Sequence, residues 1–155
     1  MIPKKLPYHK FLESFKYAPR AAVNLLVVRD DGEILLTKRK KPPFAGSWHL
    51  PGSFVLKGET LMDSAKRVAK EELGIKVENA KLVGVFDDID GDPRGHVVDL
   101  VYQCYIKLNQ KKPGLFKMAR FLKTIGDSVE IKFFKKLPEK IGFNHKDTLI
   151  NLGYV

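Results

Sequence analysis

The stretch from Gly52 to Ile75 constrains this chain more than any other. A loop of mostly small and polar residues ending at Glu59 leads into a segment where Leu61, Ala65, Val68 and Ala69 recur at helical spacing. The spacing predicts a helix from about Leu61 to Leu73. Thr60 is its N-cap, Asp63 sits near its positive end and Gly74 is the C-terminal stop. On that helix Arg67 stands four residues after Asp63 and four before Glu71, so it can pair with either. Glu71 and Glu72 follow one another at the helix end that is already negative, which is unfavourable without a counter-charge. A divalent cation would supply one, and oxygen ligands suit magnesium or manganese. An exposed acidic helix end is the plainer alternative.

The flanking segments predict the frame for this helix. Ala21 to Arg29 is apolar and strand-like, Asp30-Asp31-Gly32 is a turn signal, and Glu33 to Arg39 returns as the second arm of a hairpin. Lys40 to Ser47 carries Pro42, Pro43 and Gly46 and reads as a loop. Trp48 to Leu50 and Phe54 to Leu56 are short strand candidates. Lys81 to Asp88, His96 to Leu108 and Val129 to Lys135 read as longer strands. Leu115 to Ile125 reads as a short amphipathic helix and Lys146 to Leu152 as a closing one. Strands and helices both matter, which predicts an α+β class with a mixed sheet.

At 155 residues the chain suits one domain with a real core. The basic segment 1–19, broken by Pro3, Pro7 and Pro19, reads as an N-terminal extension without a signal-peptide core. No apolar run is long enough to span a bilayer. The lone Cys104 excludes an intramolecular disulfide and reads as a small buried hydrophobe, in keeping with a cytoplasmic setting. The formal charge of +10 favours polyanionic partners, although a lysine-rich solvated surface explains it equally well.

The spacing in the central segment resembles the Nudix box: a glycine, five residues, a glutamate, seven residues, then Arg-Glu-aliphatic-x-Glu-Glu-x-Gly-aliphatic. Glu59, Arg67, Glu71, Glu72, Gly74 and Ile75 fall in register with it, and Trp48-x-Leu50-Pro51-Gly52 is similar to that family's lead-in. The resemblance covers roughly Arg20 to Leu152. It implies an α/β/α sandwich around a mixed β-sheet, and a hydrolase of nucleoside diphosphates linked to another group. It implies Mg2+ or Mn2+ held by Glu71, Glu72 and the Gly52 carbonyl, with Glu59 and Arg67 bracing the loop against the helix. Three positions depart from the pattern. Ser53 stands for glycine, Ala69 for a larger aliphatic, and Val68 for the glutamate that in many members binds metal or serves as base. Valine can do neither, so metal binding and activity are expected to be reduced.

Other acids could serve as the base. Asp87, Asp88, Asp90 and Asp92 crowd one loop, where a solvated loop is the plainer reading, and Asp127 and Glu130 precede a late strand. The run Asp92-Pro93-Arg94-Gly95-His96 resembles that of ADP-ribose pyrophosphatases. Arg94 is therefore a substrate-binding candidate or a turn arginine paired with Asp92, while His96 is expected to pack at the strand start. Lys38 and Arg39 could add positive charge around the phosphates. In Phe143-Asn144-His145, also similar to that subgroup, Asn144 reads as a helix cap. The expected reaction is water attack on the diphosphate of ADP-ribose or a related nucleotide sugar. The alternatives are a GDP-mannose-type glycosyl hydrolase, prompted by Val68, and an inactive nucleotide-binding module. A homodimer is an open expectation, and no nucleic-acid signature accompanies the charge.

Overall fold

The computed structural model describes residues 2–106 and 128–155. The helix expected over Leu115 to Ile125 and the acid Asp127 lie outside the described residues.

The chain opens with helix α1 (Tyr8–Ser14) inside the segment that the sequence marks only as a proline-broken extension. Strand β1 (Arg20–Arg29) follows, then β2 (Ile34–Arg39), and they pair antiparallel around the Asp30-Asp31-Gly32 turn, where Gly32 takes a positive φ of 86°. Strands β3 (Trp48–His49) and β4 (Gly52–Phe54) are short and pair with β2 and β1, respectively. The second candidate strand thus begins at Gly52 rather than Phe54. Helix α2 (Leu61–Leu73) comes next. Strands β5 (Lys81–Asp88), β6 (Val97–Ile106) and β7 (Ser128–Phe134) and helix α3 (His145–Asn151) complete the described elements. One sheet runs β3-β2-β1-β6-β5, with β4 added on β1 and β7 on β2. Strands β1 and β6 run parallel from Arg20↔Val97 to Arg29↔Ile106, and the other pairings are antiparallel, so the sheet is mixed.

The central strand β1 is buried on both faces, and its alternation explains the two cores. Val23, Leu25 and Val27 point to the side covered by α2, where Ala65, Val68, Ala69 and Leu73 meet them. Leu26 and Val28 point to the opposite side and pack with Ile34, Leu36, Leu50, Val101 and Leu149 of α3. The result is an α/β/α sandwich. Cys104 is buried in the first core, and burial pushes its thiol up to about 11, as suits an inert packing residue.

Helix α2 is bounded as its sequence predicts. The Thr60 hydroxyl accepts from the Asp63 amide at 3.1 Å, and Gly74 takes the left-handed conformation with φ 64°. The amides of Gly74 and Ile75 then return to Lys70 and Ala69. Asp63 differs from expectation: its carboxylate accepts from the Thr60 hydroxyl at 2.8 Å, and Arg67 turns to other partners. Among the described residues, no helix is long and apolar enough to cross a membrane.

Candidate active site

The loop from Gly52 to Glu59 is held against α2 by one buried ion pair. The Arg67 guanidinium donates to both Glu59 oxygens, at 2.7 and 3.0 Å, and to the Phe54 carbonyl at 3.0 Å. Glu59 also accepts from the Leu56 amide at 2.7 Å. Their side chains are only 3% and 16% exposed, so each charge depends on the other. Burial pulls the Glu59 carboxyl upward, but the bonds from Arg67 and Leu56 outweigh it and hold the group below its ordinary value. Beyond the brace, Arg67 approaches Glu71 at 3.4 Å, and Lys5 from the N-terminal segment reaches the same Glu71 oxygen at 3.0 Å.

Above this brace lies a cleft of about 310 Å³, large enough for part of a nucleotide-sized ligand. Its walls bring together Glu72 and Gly52 from the central segment, Arg39 from β2, Arg94 from the loop before β6, and Lys5 and Phe11 from the N-terminal segment. Three aspartates that the sequence did not separate from solvated neighbours, or did not single out at all, also line it. Asp88 ends β5, Asp92 stands in the following loop and Asp99 lies within β6, and all three are buried. This corrects the solvated reading for Asp88 and Asp92, whereas Asp87 and Asp90 are exposed. Asp92 is neutralised by Arg94, which donates through Nε at 2.9 Å and Nη2 at 2.6 Å. Arg94 is thus both the paired turn arginine and a wall of the cleft, its guanidinium 5.0 Å from the Phe54 ring centroid. Asp88 accepts from the Gly91 amide and from Asn144 Nδ2, each at 2.6 Å. Asn144 therefore ties α3 to the acidic loop, with no side-chain cap bond to the helix.

Asp99 has the least compensation. It is 4% exposed, and among the described residues its hydrogen-bond partner is the Asn24 amide at 2.7 Å. Burial pushes its carboxyl up to about 6, against the Asn24 bond, and Asp88 and Asp92 add to the rise. Asn24 is in turn seated by Gly52, its cross-strand partner: a Cβ at Gly52 would come within 1.9 Å of Asn24 Oδ1. Two histidines that also line the cleft, His49 and His145, are buried and neutral. His145 Nδ1 accepts from the Leu50 amide, which places its proton on Nε2. His49 Nδ1 lies 2.6 Å from the Leu50 carbonyl and so donates, leaving Nε2 to accept from Thr37. Burial first, and then Arg39 beside both rings, depresses His49 to about 4; His145 falls to about 3, with His49 also contributing.

Comparison with known proteins gives the family. The NUDIX domain family matches residues 18–123, which include the brace, Glu72, Arg94 and Asp99. This chain belongs to the Nudix hydrolase family. It is similar to an ADP-ribose pyrophosphatase of Methanocaldococcus jannaschii, with 37% identity over 130 residues that cover 83% of this chain and 69% of that protein. A MutT/nudix family protein from Enterococcus faecalis has a similar structure, with a TM-score of 0.70 and 25% identity, covering 94% of this chain and 67% of that one. The NUDIX domain of Shewanella oneidensis NrtR, solved with ADP ribose, shares the fold with a TM-score of 0.67 and 18% identity, covering 95% and 97%.

Within the Nudix frame the site residues divide. Glu72, Gly52, Arg39 and Arg94 meet in the cleft, and Glu59 and Arg67 form the brace beneath it. Glu71 stands beside the cleft, occupied by Lys5 and Arg67. Glu130, a candidate base, is brought elsewhere: the β2–β7 register places it opposite Lys38, at 3.7 Å and 52% exposed, and neither residue is among those lining the cleft. His96 stands 3.8 Å from Asp87, and its buried Nε2 has no hydrogen bond among the described residues. Val68 is fully buried against β1, so this position contributes to the core rather than to the cleft. Among the described residues, no three His, Cys, Asp or Glu side chains cluster closely enough to form a metal cage. Glu72, Glu71 and the Gly52 carbonyl nonetheless offer hard oxygens of the type that magnesium takes when it arrives with a phosphorylated substrate, which supplies further ligands itself.

Proposed function

We propose that this Nudix protein is a metal-dependent hydrolase of nucleoside diphosphate-linked compounds, with ADP-ribose or a related nucleotide sugar as substrate. The observation that carries this reading is the cleft itself, which joins Glu72 and Gly52 to Arg94 of the Asp-Pro-Arg-Gly-His run. The curated relative at 37% identity, an ADP-ribose pyrophosphatase, favours the same substrate.

Magnesium or manganese, held by Glu72, Glu71 and the Gly52 carbonyl, would neutralise the diphosphate and acidify a bound water. The residues of the chain do the rest. Arg94, fixed by Asp92 and flanked by aromatic rings, presents its remaining N–H groups to the phosphates. Arg39 adds a second cation beside the Phe143 ring, 5.0 Å from its centroid. The Glu59–Arg67 brace holds the Gly52 loop in place. Asp99 takes over the proton-accepting part that Val68 cannot play. Its carboxyl lines the cleft, and a base whose pKa lies near 6 is ionised at neutral pH yet still holds a proton usefully. Attack at phosphorus would split ADP-ribose into AMP and ribose phosphate.

The test is a product-resolved hydrolysis screen with Mg2+ and Mn2+ on ADP-ribose, GDP-mannose and nucleoside triphosphates, with Glu72→Gln as control. AMP and ribose phosphate, absent in the control, are the expected products. Free sugar with intact nucleoside diphosphate would mean attack at carbon, and binding without turnover would mean a nucleotide-binding module.

A further inference from the structure

The segment that precedes β1 is built into the cleft. Phe11 of α1 lies 4.9 Å from Phe54 between ring centroids, and Phe15 packs edge-on to both. Phe15 also explains Gly95, where a Cβ would come within 2.7 Å of its ring. The Asp-Pro-Arg-Gly-His run and α1 are therefore one packed unit, and the guanidinium of Arg94 stands 5.9 Å from the Phe11 ring centroid. This packing carries Lys5 to the cleft, which it lines together with Ser53 and Glu72, and there it bonds Glu71.

The Lys5–Glu71 pair is weakly held. Its side chains are 66% and 39% exposed, and Glu71 already has Arg67. Exposed pairs of this kind contribute little. A diphosphate entering the cleft offers the ammonium a more highly charged partner. A divalent cation on Glu71 would compete with Lys5 for the same oxygen and push it the same way.

We propose that the N-terminal segment is a substrate-binding element of this site: Lys5 exchanges Glu71 for an oxygen of the substrate diphosphate, and Phe11, packed at a tilt against Phe54, holds the segment in place for that exchange. This rests on the diphosphate reading above. Lys5 is a specificity and binding residue in this scheme.

The experiment is amine acylation of the full chain read by mass spectrometry, with and without the α,β-methylene analogue of ADP-ribose plus Mg2+. Exposed Lys10 and Lys16 serve as internal references. Saturation is established in the same buffer by calorimetry. Several-fold protection of Lys5, with Lys10 and Lys16 unchanged, is expected. Lys5→Met should weaken analogue binding about tenfold, the loss of one charge-assisted hydrogen bond, and Lys5→Arg should recover most of it. Phe11→Ala should abolish the protection. A wild-type chain that binds the analogue while Lys5 is labelled as before would overturn this inference alone. So would a Lys5→Met variant that loses thermal stability but no affinity. A wild-type chain that binds no analogue would overturn the diphosphate reading, and this inference with it.

Discussion

Replacing Asp99 by Asn should make the metal-free protein more stable at neutral pH and less active with metal and substrate. Asp99 is almost fully buried, its hydrogen bond among the described residues comes from an uncharged amide, and two further aspartates raise the local negative potential. Its carboxyl is pushed up to about 6 from an ordinary 3.8. Between those values the folded chain keeps a proton that the unfolded chain has released, so stability falls as pH rises through the window. Above it the full cost is on the order of 3 kcal/mol, at about 1.4 kcal/mol for each pH unit of separation. Asparagine has the same shape, can still accept from Asn24 and carries no charge. In EDTA, urea unfolding between pH 4 and 8 should show Asp99→Asn ahead by up to about 3 kcal/mol at pH 7.5, with the gap closing towards pH 4. A constant gap, or a variant less stable at pH 7.5, would refute the argument that an uncompensated charge sits there. On the kinetic side, loss of a general base should lower kcat by roughly 100-fold or more and remove the acidic limb near pH 6. A variant with wild-type kcat would leave Asp99 a structural acid.

The other expectations follow from the same geometry. Glu59→Gln removes the close partner of Arg67 and leaves it the longer 3.4 Å pair with the more exposed Glu71, and should cost about 3 kcal/mol in urea unfolding. Because Glu59 is held below its ordinary pKa, the contribution it makes in the wild type should be lost as pH falls through the acidic range below 4.5. Val68→Glu places a carboxylate in the core beneath β1. It should destabilise the metal-free protein by on the order of 3 kcal/mol, read as a fall in Tm; unchanged stability with tighter Mn2+ binding would return that position to the cleft. His49 and His145 refuse protons that unfolded rings take up below pH 6.5. The stability these neutral rings provide should be intact above that pH and fall towards pH 4, with His49→Gln flattening the slope in calorimetry. Gly52→Ala should drive Asn24 off Asp99, costing about 1–3 kcal/mol and most of the activity.

What could be read from the sequence and what could not divide along physical lines. Helix α2 was legible because its signals are local: a cap, a 3.6-residue stripe and a left-handed glycine all fall within fifteen residues. The brace was legible only through the resemblance to the Nudix box, since spacing along the helix pairs Arg67 with Asp63 or Glu71 rather than with Glu59. The acidic floor was not. Asp99 sits in a strand that reads as a largely apolar run, and only the parallel register of β6 on β1 carries it to Asn24 and the Gly52 loop. Asp88 and Asp92 look like a polar loop because nothing near them in sequence shows that Asn144, fifty-six residues after Asp88, reaches back to cover them. The N-terminal segment was hidden for the opposite reason. Three prolines and a basic composition mark only an extension, yet Phe11 and Phe15 have an aromatic partner in Phe54, which the strand pattern alone would leave as ordinary core. Val68 shows why a motif letter is not a location. Its pattern assigns it to metal chemistry, but a valine on the inner stripe of an amphipathic helix goes to the core with Ala65 and Ala69. On the proposed reading, the proton-handling duty passes to a buried carboxyl that the topology delivers to the cleft, and Asp99 is the candidate.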